Sequence, residues 1–200
     1  MSIKRNETSP EGLDQEYRKG RWSFLGNIRE MSRHGIIASW MMGTGNTETI
    51  LDIGCGEGHF YRRIEPLGLK RYVGVDLSEE PLAKANSVIN PEIANLERAD
   101  LREFIPAEAG FNAIIFNEVL NYAEDAADQV ERYADFLAPG GIIAVSIYAP
   151  VRPESGAHKR IADVWTRMNR EGWEVLDDIT LTSHIKDTTW RMKLVRPEAA

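Results

Sequence analysis

Apolar and polar residues change their rhythm three times along the 200-residue chain. Between residues 16 and 42, Trp22, Leu25, Ile28 and Met31 recur at helical spacing. Ile36, Ile37, Trp40 and Met41 continue the pattern, so this stretch reads as helical. Residues 1–13 are polar and carry Pro10 and Gly12, which predicts a mobile tail. From Thr49 onward, short continuous apolar runs alternate with amphipathic segments. Strands are expected at 49–53, 72–76, 94–98, 111–116 and 142–148. Helices are expected at 60–67, after Ser78, and at 125–138, where "PGG" closes the last of them. Ser78 reads as an N-cap, with Glu79 and Glu80 in the first turn, where the helix dipole favours them. Unbroken apolar strands suit a parallel sheet buried on both faces, and the alternation implies a doubly wound α/β fold. After a helix at 157–169 the period becomes two. Ile179 and Leu181 alternate with Thr180 and Thr182, then Trp190, Met192 and Leu194 with Arg191 and Lys193. These runs, separated by "SHIKD", predict an antiparallel hairpin at one end of the sheet. The expected organisation is a tail and helical lid over residues 1–47 and an α/β domain over 48–200, in one compact unit.

Residues 50–60, "ILDIGCGEGHF", place Gly54, Gly56 and Gly58 where a strand passes into a helix. A glycine inside an element costs roughly 0.5–1 kcal/mol relative to alanine, so three together need a reason. Either the chain turns tightly at positive φ, or a ligand approaches the backbone closely. Ligands of open α/β sheets bind beyond the carboxyl ends of the strands, where this turn lies. The dinucleotide fingerprint sets glycines at positions 1, 3 and 6. Counted from Gly54, Gly56 fits the third position, but His59 occupies the sixth. Asp52 precedes the turn, and a carboxylate there would repel a pyrophosphate yet suit an ammonium group. The pattern points away from NAD.

Charge and composition narrow the field. A net charge of −7 offers no basic footprint for nucleic acid. The one cysteine, Cys55, allows no intramolecular disulfide and suits a reducing compartment. No apolar run approaches the ~18–20 residues of a membrane span, and the first residues are polar. A cytoplasmic protein without membrane or nucleic-acid partners is expected.

"LDIGCGEG", Asp76 at the end of the second strand, "RADL", "IIFNEVLNYAED" and "FLAPGG" follow one another in order. Together they make residues 50–148 resemble the class I S-adenosylmethionine-dependent methyltransferases. The resemblance implies a Rossmann-like, mostly parallel seven-stranded sheet with a C-terminal antiparallel hairpin, and S-adenosylmethionine as cofactor without a metal. Asp52 would face the methionine end, and the backbone of Gly54, Cys55 and Gly56 would lie against the cofactor. Asp76 would accept hydrogen bonds from both ribose hydroxyls, and Leu77 would pack on adenine. Asp100 would take the adenine amino group while Leu101 covers the ring, with a helix N-cap as the alternative role for Asp100. Asn117 and Glu118 would border the methionine moiety, chiefly through backbone groups.

Methyl transfer from a sulfonium needs an aligned nucleophile, and positioning alone can supply ~7–11 kcal/mol of the barrier. A base is required only if the acceptor keeps its proton. His34, His59, Tyr122 and Tyr148 are the candidates, each more readily read as structural or pocket-lining than as catalytic. Asn121, Tyr122 and Tyr148 are expected to line the acceptor. Members of the family often carry a histidine after strand four, where this chain has Asn121 and Tyr122. The extra material is confined to the first 47 residues and the loop "YAPVRPESGAHK", which favours a small-molecule acceptor; a monomer or homodimer is expected. Two rivals stay open. One is a different enzyme on this fold, such as an aminopropyl transferase or a dehydrogenase. The other is a catalytically silent S-adenosylmethionine-binding partner or regulator, and the fold does not separate them.

Overall fold

The apolar runs form the strands. In the computed structural model, which describes residues 9–150, 156–185 and 187–198, β1 (Thr49–Ile53), β2 (Arg71–Asp76), β3 (Ala94–Arg98), β4 (Phe111–Asn117) and β5 (Leu137–Ala149) run parallel. β7 (Thr188–Pro197) runs antiparallel to both β5 and β6 (Trp173–Ser183). The order is β3-β2-β1-β4-β5-β7-β6, the seven-stranded, mostly parallel sheet that the resemblance implied. Strand order reverses between β1 and β4, so a crevice opens beyond their carboxyl ends.

Helices α1 (Pro10–Arg18), α2 (Met31–Thr44), α3 (Tyr61–Ile64), α4 (Glu79–Ala85), α5 (Ala126–Ala134) and α6 (Gly156–Met168) complete the chain. Each sheet face has its own core. Ile37, Trp40 and Met41 of α2 pack with Ile50, Ile115, Ala144 and Met192. On the other face, Val130 of α5 and Val164 and Met168 of α6 pack with Leu51, Ile114 and Val145. Burying one such aliphatic side chain contributes roughly 1.5–3 kcal/mol, so α2 belongs to the body of the fold.

Five boundaries differ from the sequence reading. The N-terminal stretch is not one helix: α1 and α2 are separated by 3₁₀ turns at Ser23–Gly26 and Ile28–Glu30. Gly20, at φ 71°, interrupts it, and Ile28 is 79% exposed, so its helical spacing marks no buried stripe. α1 also begins inside the expected tail. Ser9 caps it by accepting from the Gly12 N–H at 3.1 Å, and Pro10 occupies the first turn, where no amide is needed. α5 stops at Ala134, short of the expected 138, because Leu137 already pairs with Phe111 and opens β5. Gly141 in "PGG" has no room for a side chain: a Cβ would stand 2.9 Å from the Ala138 carbonyl oxygen. α3 is a single turn followed by a 3₁₀ turn at Glu65–Leu67 that contains Pro66. β6 starts earlier than its alternating residues suggested, with a register shift between Val175 and Asp177. Residues 151–155 of the "YAPVRPESGAHK" loop lie outside the described residues. An open hollow of about 300 Å³, lined by Arg71, Asn95 and Phe111, sits at the amino ends of β2, β3 and β4, opposite the crevice.

Candidate functional site

The crevice has two rims. The first is built on the glycine turn after β1. The Gly54 and Cys55 amides both donate to the Val75 carbonyl, at 2.7 and 3.0 Å, and the Gly58 amide donates to the Cys55 carbonyl at 3.1 Å. The Gly56 amide donates to Asp76 Oδ2 at 2.9 Å. Those amides are committed to β2 and to the turn itself. Gly54, Gly56 and Gly58 take φ of 78°, 55° and 73°, which side chains rarely adopt. At Gly54 a Cβ would lie 2.6 Å from the Val119 side chain, so turn and packing together demand glycine there. At Gly56 the nearest neighbour is the Tyr17 hydroxyl of α1, 3.6 Å from where a Cβ would stand.

Asp76 ends β2 facing this turn. Its carboxylate accepts from the Gly56 and Ser78 amides, both at 2.9 Å. Burial pushes its pKa up to about 6 against the pull of those amides. Such a carboxylate still has lone pairs to offer to hydroxyl donors, which fits a ribose diol. Half-buried Leu77 follows it. Burial, then the Asp76 charge, raises the Tyr17 hydroxyl far above its usual range.

α1 is fastened beside Asp76. Asp14, 7% exposed, accepts from the Ser78 hydroxyl and from the Glu80 amide at 3.2 Å. Ser78 therefore stands at the N-cap position of α4, as read from sequence, but its own side chain makes no cap bond. The capping carboxylate comes from Asp14, 66 residues away from the Glu80 amide. Burial raises the Asp14 carboxyl, but the Ser78 hydroxyl and the Glu80 and Glu79 amides outweigh it and hold the pKa below the usual carboxylate range. Arg18 adds an ion pair to Glu80 at 2.6 Å.

Asp52 lies on the α2 face of the sheet, where its carboxylate accepts from the Tyr72 hydroxyl at 2.7 Å. Burial pushes it up to about 7, and burial also raises the Cys55 thiol. Asp100 is engaged within its own loop: Oδ1 accepts from the Arg102 amide and Nε, both at 2.9 Å, and the Arg102 ion pair holds it below the usual range. Its carbonyl receives the Glu103 and Phe104 amides, so it opens a turn. Leu101 is half-buried against the core of the α5 face.

The second rim stands at the ends of β4 and β5 under α2. Asn117 ends β4, and its Oδ1 accepts from Arg33 Nε at 3.1 Å. Glu118 follows at φ 66°, one of two described non-glycine residues in the left-handed region. Its carboxylate crosses to β5, accepting from the Ser146 hydroxyl at 2.7 Å and the Tyr148 amide at 3.0 Å. Burial pushes it up to about 7, against Arg33, Ser146 and the Tyr148 amide. Arg33, 3% exposed, is paired with Glu30 at 2.5 Å and lies 5.7 Å over the Trp190 ring. Asn121 and Tyr122 sit in the 3₁₀ turn Leu120–Tyr122, and Tyr148 pairs across with Trp190. All three are half-buried.

The histidines lie elsewhere. His34 packs its ring 5.8 Å from Phe60, with Nδ1 unpartnered, and burial pulls its pKa down to about 3. His59 sits under Gly26, where a Cβ would meet its ring at 3.0 Å, and burial lowers its pKa as well. Both rings lie in packed surroundings. Arg33, Glu30, Ser146 and Asp14 went unnoticed in the sequence. Ser146 alone carried a signal, as the one polar residue in the buried run "IIAVSIY". Among the described residues, no group of three His, Cys, Asp or Glu is placed to hold a metal, and no helix is long and apolar enough to cross a membrane.

A family described as "Methyltransferase domain" matches residues 11–187. A trans-aconitate 2-methyltransferase of Streptomyces avermitilis is 32% identical over 120 residues, 58% of this chain and 44% of that protein. The chain spans about half the length, or less, of the curated relatives it matches. The N-methyltransferase NodS from Bradyrhizobium japonicum, solved with S-adenosyl-L-homocysteine, aligns with a TM-score of 0.71 and 20% identity over 89% of this chain and 92% of that one. Magnesium protoporphyrin IX methyltransferase from Synechocystis, solved with S-adenosylmethionine, aligns with a TM-score of 0.72 and 15% identity over 99% and 100%. The strand order, the glycine turn set against Asp76 and a family match over most of the length agree: the chain belongs to the methyltransferase-domain family and has the fold of the class I S-adenosylmethionine-dependent enzymes.

Proposed function

We propose that the chain transfers the methyl group of S-adenosylmethionine to a small-molecule acceptor. The observation that carries this reading is Asp76, a half-buried carboxylate fixed by the Gly56 and Ser78 amides at the mouth of the crevice and, among the described residues, in no ion pair. Two vicinal hydroxyls supply the donors it lacks. Leu77 and Leu101 would flank the adenine, and Tyr17 on α1 would cover the nucleoside and exclude water. Asp100, already accepting three bonds from Arg102, would turn its remaining lone pair to the adenine amino group. Gly54, Cys55 and Gly56 would offer close approach, with Asp52 toward the methionine end. Asn117 and Glu118 would border that end through the backbone, because their side chains turn to Arg33 and β5. When bound, the sulfonium supplies an electrophilic methyl, and Asn121, Tyr122 and Tyr148 orient the acceptor in line with it. Relatives named for trans-aconitate and magnesium protoporphyrin IX, and the single buried cysteine, support a small metabolite as substrate and a cytoplasmic setting.

Calorimetric titration with S-adenosylmethionine, S-adenosylhomocysteine and NAD tests the reading. The first two are expected to bind and NAD is not. Binding of NAD alone would overturn it. Cofactor binding without methyl transfer to any amine, hydroxyl or carboxylate acceptor in a panel would leave a silent binding protein instead.

A further inference from the structure

Three basic side chains beside the acceptor rim have nitrogens that no acceptor meets. His34 of α2 is 4% exposed, and its Nδ1 makes no hydrogen bond. His59, which follows the glycine turn, has a buried Nε2 without a hydrogen bond. The Glu57 carboxylate stands 3.6 Å from that nitrogen, too far to accept from it, and is held by Lys84 at 2.6 Å. Arg63 of α3 leaves Nε unpartnered and rests one Nη nitrogen on the Met31 sulfur, a weak acceptor. Three segments bring these groups to one place. The His34 ring lies 5.8 Å from Phe60, the residue after His59, and Met31 stands one turn before His34 on α2. Arg33, next to His34 in the chain, bonds Asn117 at the end of β4, so the cluster adjoins the acceptor rim. Over its outer side runs the 3₁₀ turn Ser23–Gly26, where exposed Gly26 covers the His59 ring with backbone alone.

An unpartnered buried donor costs free energy, and cations gathered around it add to the cost. Burial first, then Arg33, His59 and Arg63, opposes a charge on His34. Burial, then Arg62, Arg63 and Arg33, opposes one on His59 against the pull of Glu57. Glu30, the carboxylate at this end of α2, is taken up by Arg33 at 2.5 Å. An anion would supply the missing acceptors and offset the repulsion at once. We propose that His34, His59 and Arg63 form an oxyanion subsite, which holds a carboxylate or phosphate group of the methyl acceptor. The inference names the acceptor's class within the methyltransferase reading above and rests on that reading. The Arg63 guanidinium forks onto two oxygens, and each imidazole donates one N–H to the same group. The acceptor is thereby anchored by its charged end, while Asn121, Tyr122 and Tyr148 address the atom that takes the methyl.

Calorimetry on the full chain saturated with S-adenosylhomocysteine tests this with two probes, citrate and inorganic phosphate, at an ionic strength held constant with sodium chloride. At least one probe is expected to bind. Arg63→Met is expected to weaken it about 10- to 150-fold, as loss of a charged hydrogen bond does, and to leave S-adenosylhomocysteine affinity unchanged. Binding of neither probe, or equal binding in the variant, overturns the proposal. The cofactor carries a carboxylate of its own, and the same data separate the two sources. A probe that S-adenosylhomocysteine expels, or a variant that loses S-adenosylhomocysteine affinity as steeply, gives the subsite to the cofactor and overturns the proposal. Should Arg63→Met fail to fold, proton NMR of the native protein reads the site directly. The chain has four histidines, and His158→Gln and His184→Gln identify two of them, which leaves the Cε1–H signals of His34 and His59. The probe is expected to move those two and spare the others. Signals of His34 and His59 that stay still, or four that move alike, overturn the proposal. If S-adenosylhomocysteine itself does not bind, the methyltransferase reading falls and takes this inference with it.

Discussion

The two rims of the crevice are made in different ways. The cofactor rim is a local device: a left-handed glycine turn and the Asp76 strand end lie next to each other in two neighbouring strands and are held by backbone amides. The acceptor rim is a network of side chains from α2, β4, β5, β7 and the 3₁₀ turn before α2, with Arg33 at its centre. Backbone-held chemistry survives the loss of a side chain, and a buried charge network does not. The first rim should therefore lose affinity when mutated, and the second should lose the fold.

The largest effect is expected at Arg33. Arg33→Met removes the cation facing buried Glu30, and breaking a buried pair on one side costs about 3–5 kcal/mol. Urea denaturation should show this, with partial recovery in the Glu30→Gln, Arg33→Met double variant. A loss under 1 kcal/mol would erase the contrast between the rims. Next comes Asp76→Ala, which should weaken S-adenosylhomocysteine binding about 10- to 150-fold with little change in the urea midpoint. The same carboxylate sets a pH dependence. Its folded pKa of about 6 lies above the ordinary 3.8, so protonation favours the ligand-free fold: that stability is complete below 3.8 and gone above about 6. Ligand affinity runs the opposite way, falling up to about tenfold per pH unit below pH 6 and flat above it, and calorimetry across that range should find no such slope in Asp76→Asn. The smallest effect is expected at Asp14. Asp14→Ala removes the cap of α4 and should cost about 1 kcal/mol. It should also hasten limited proteolysis after Arg18 or Lys19; an unchanged rate would mean that α1 is held by packing alone.

The sequence disclosed the first rim and hid most of the second for the same reason. "DIGCGEG" and "YVGVD" are contiguous, and the pairing of parallel strands brings them together, so the motif and the site coincide. Arg33 meets Asn117 across 84 positions, and nothing in "REMSRHG" separates a buried arginine from an exposed one. Asp14 lies just past the expected tail, and its cap on α4 left no mark in the sequence because its partners, Ser78 and Glu80, are equally remote. The N-terminal periodicity misled at Ile28, since helical spacing records where residues would align in a helix and Gly20 and Gly26 break it. The strand order was open to inference only through the resemblance, because period-two runs do not say which edge they join.

One consequence of the sheet reaches beyond the site, into synthesis. β7 is made after β6 yet lies between β6 and β5. A nascent chain that has emerged as far as β6 therefore presents β5 with one edge open from Ile143 to Ala149, and β6 cannot cover it because β6 pairs with β7 alone. An open, apolar edge of that length is a template for another chain. Trp190, Met192 and Leu194, which complete the α2-side core, arrive only with the same last strand. Closure of the sheet is thus a late event in the life of each molecule, and the interval before it is when the protein depends most on dilution or a chaperone.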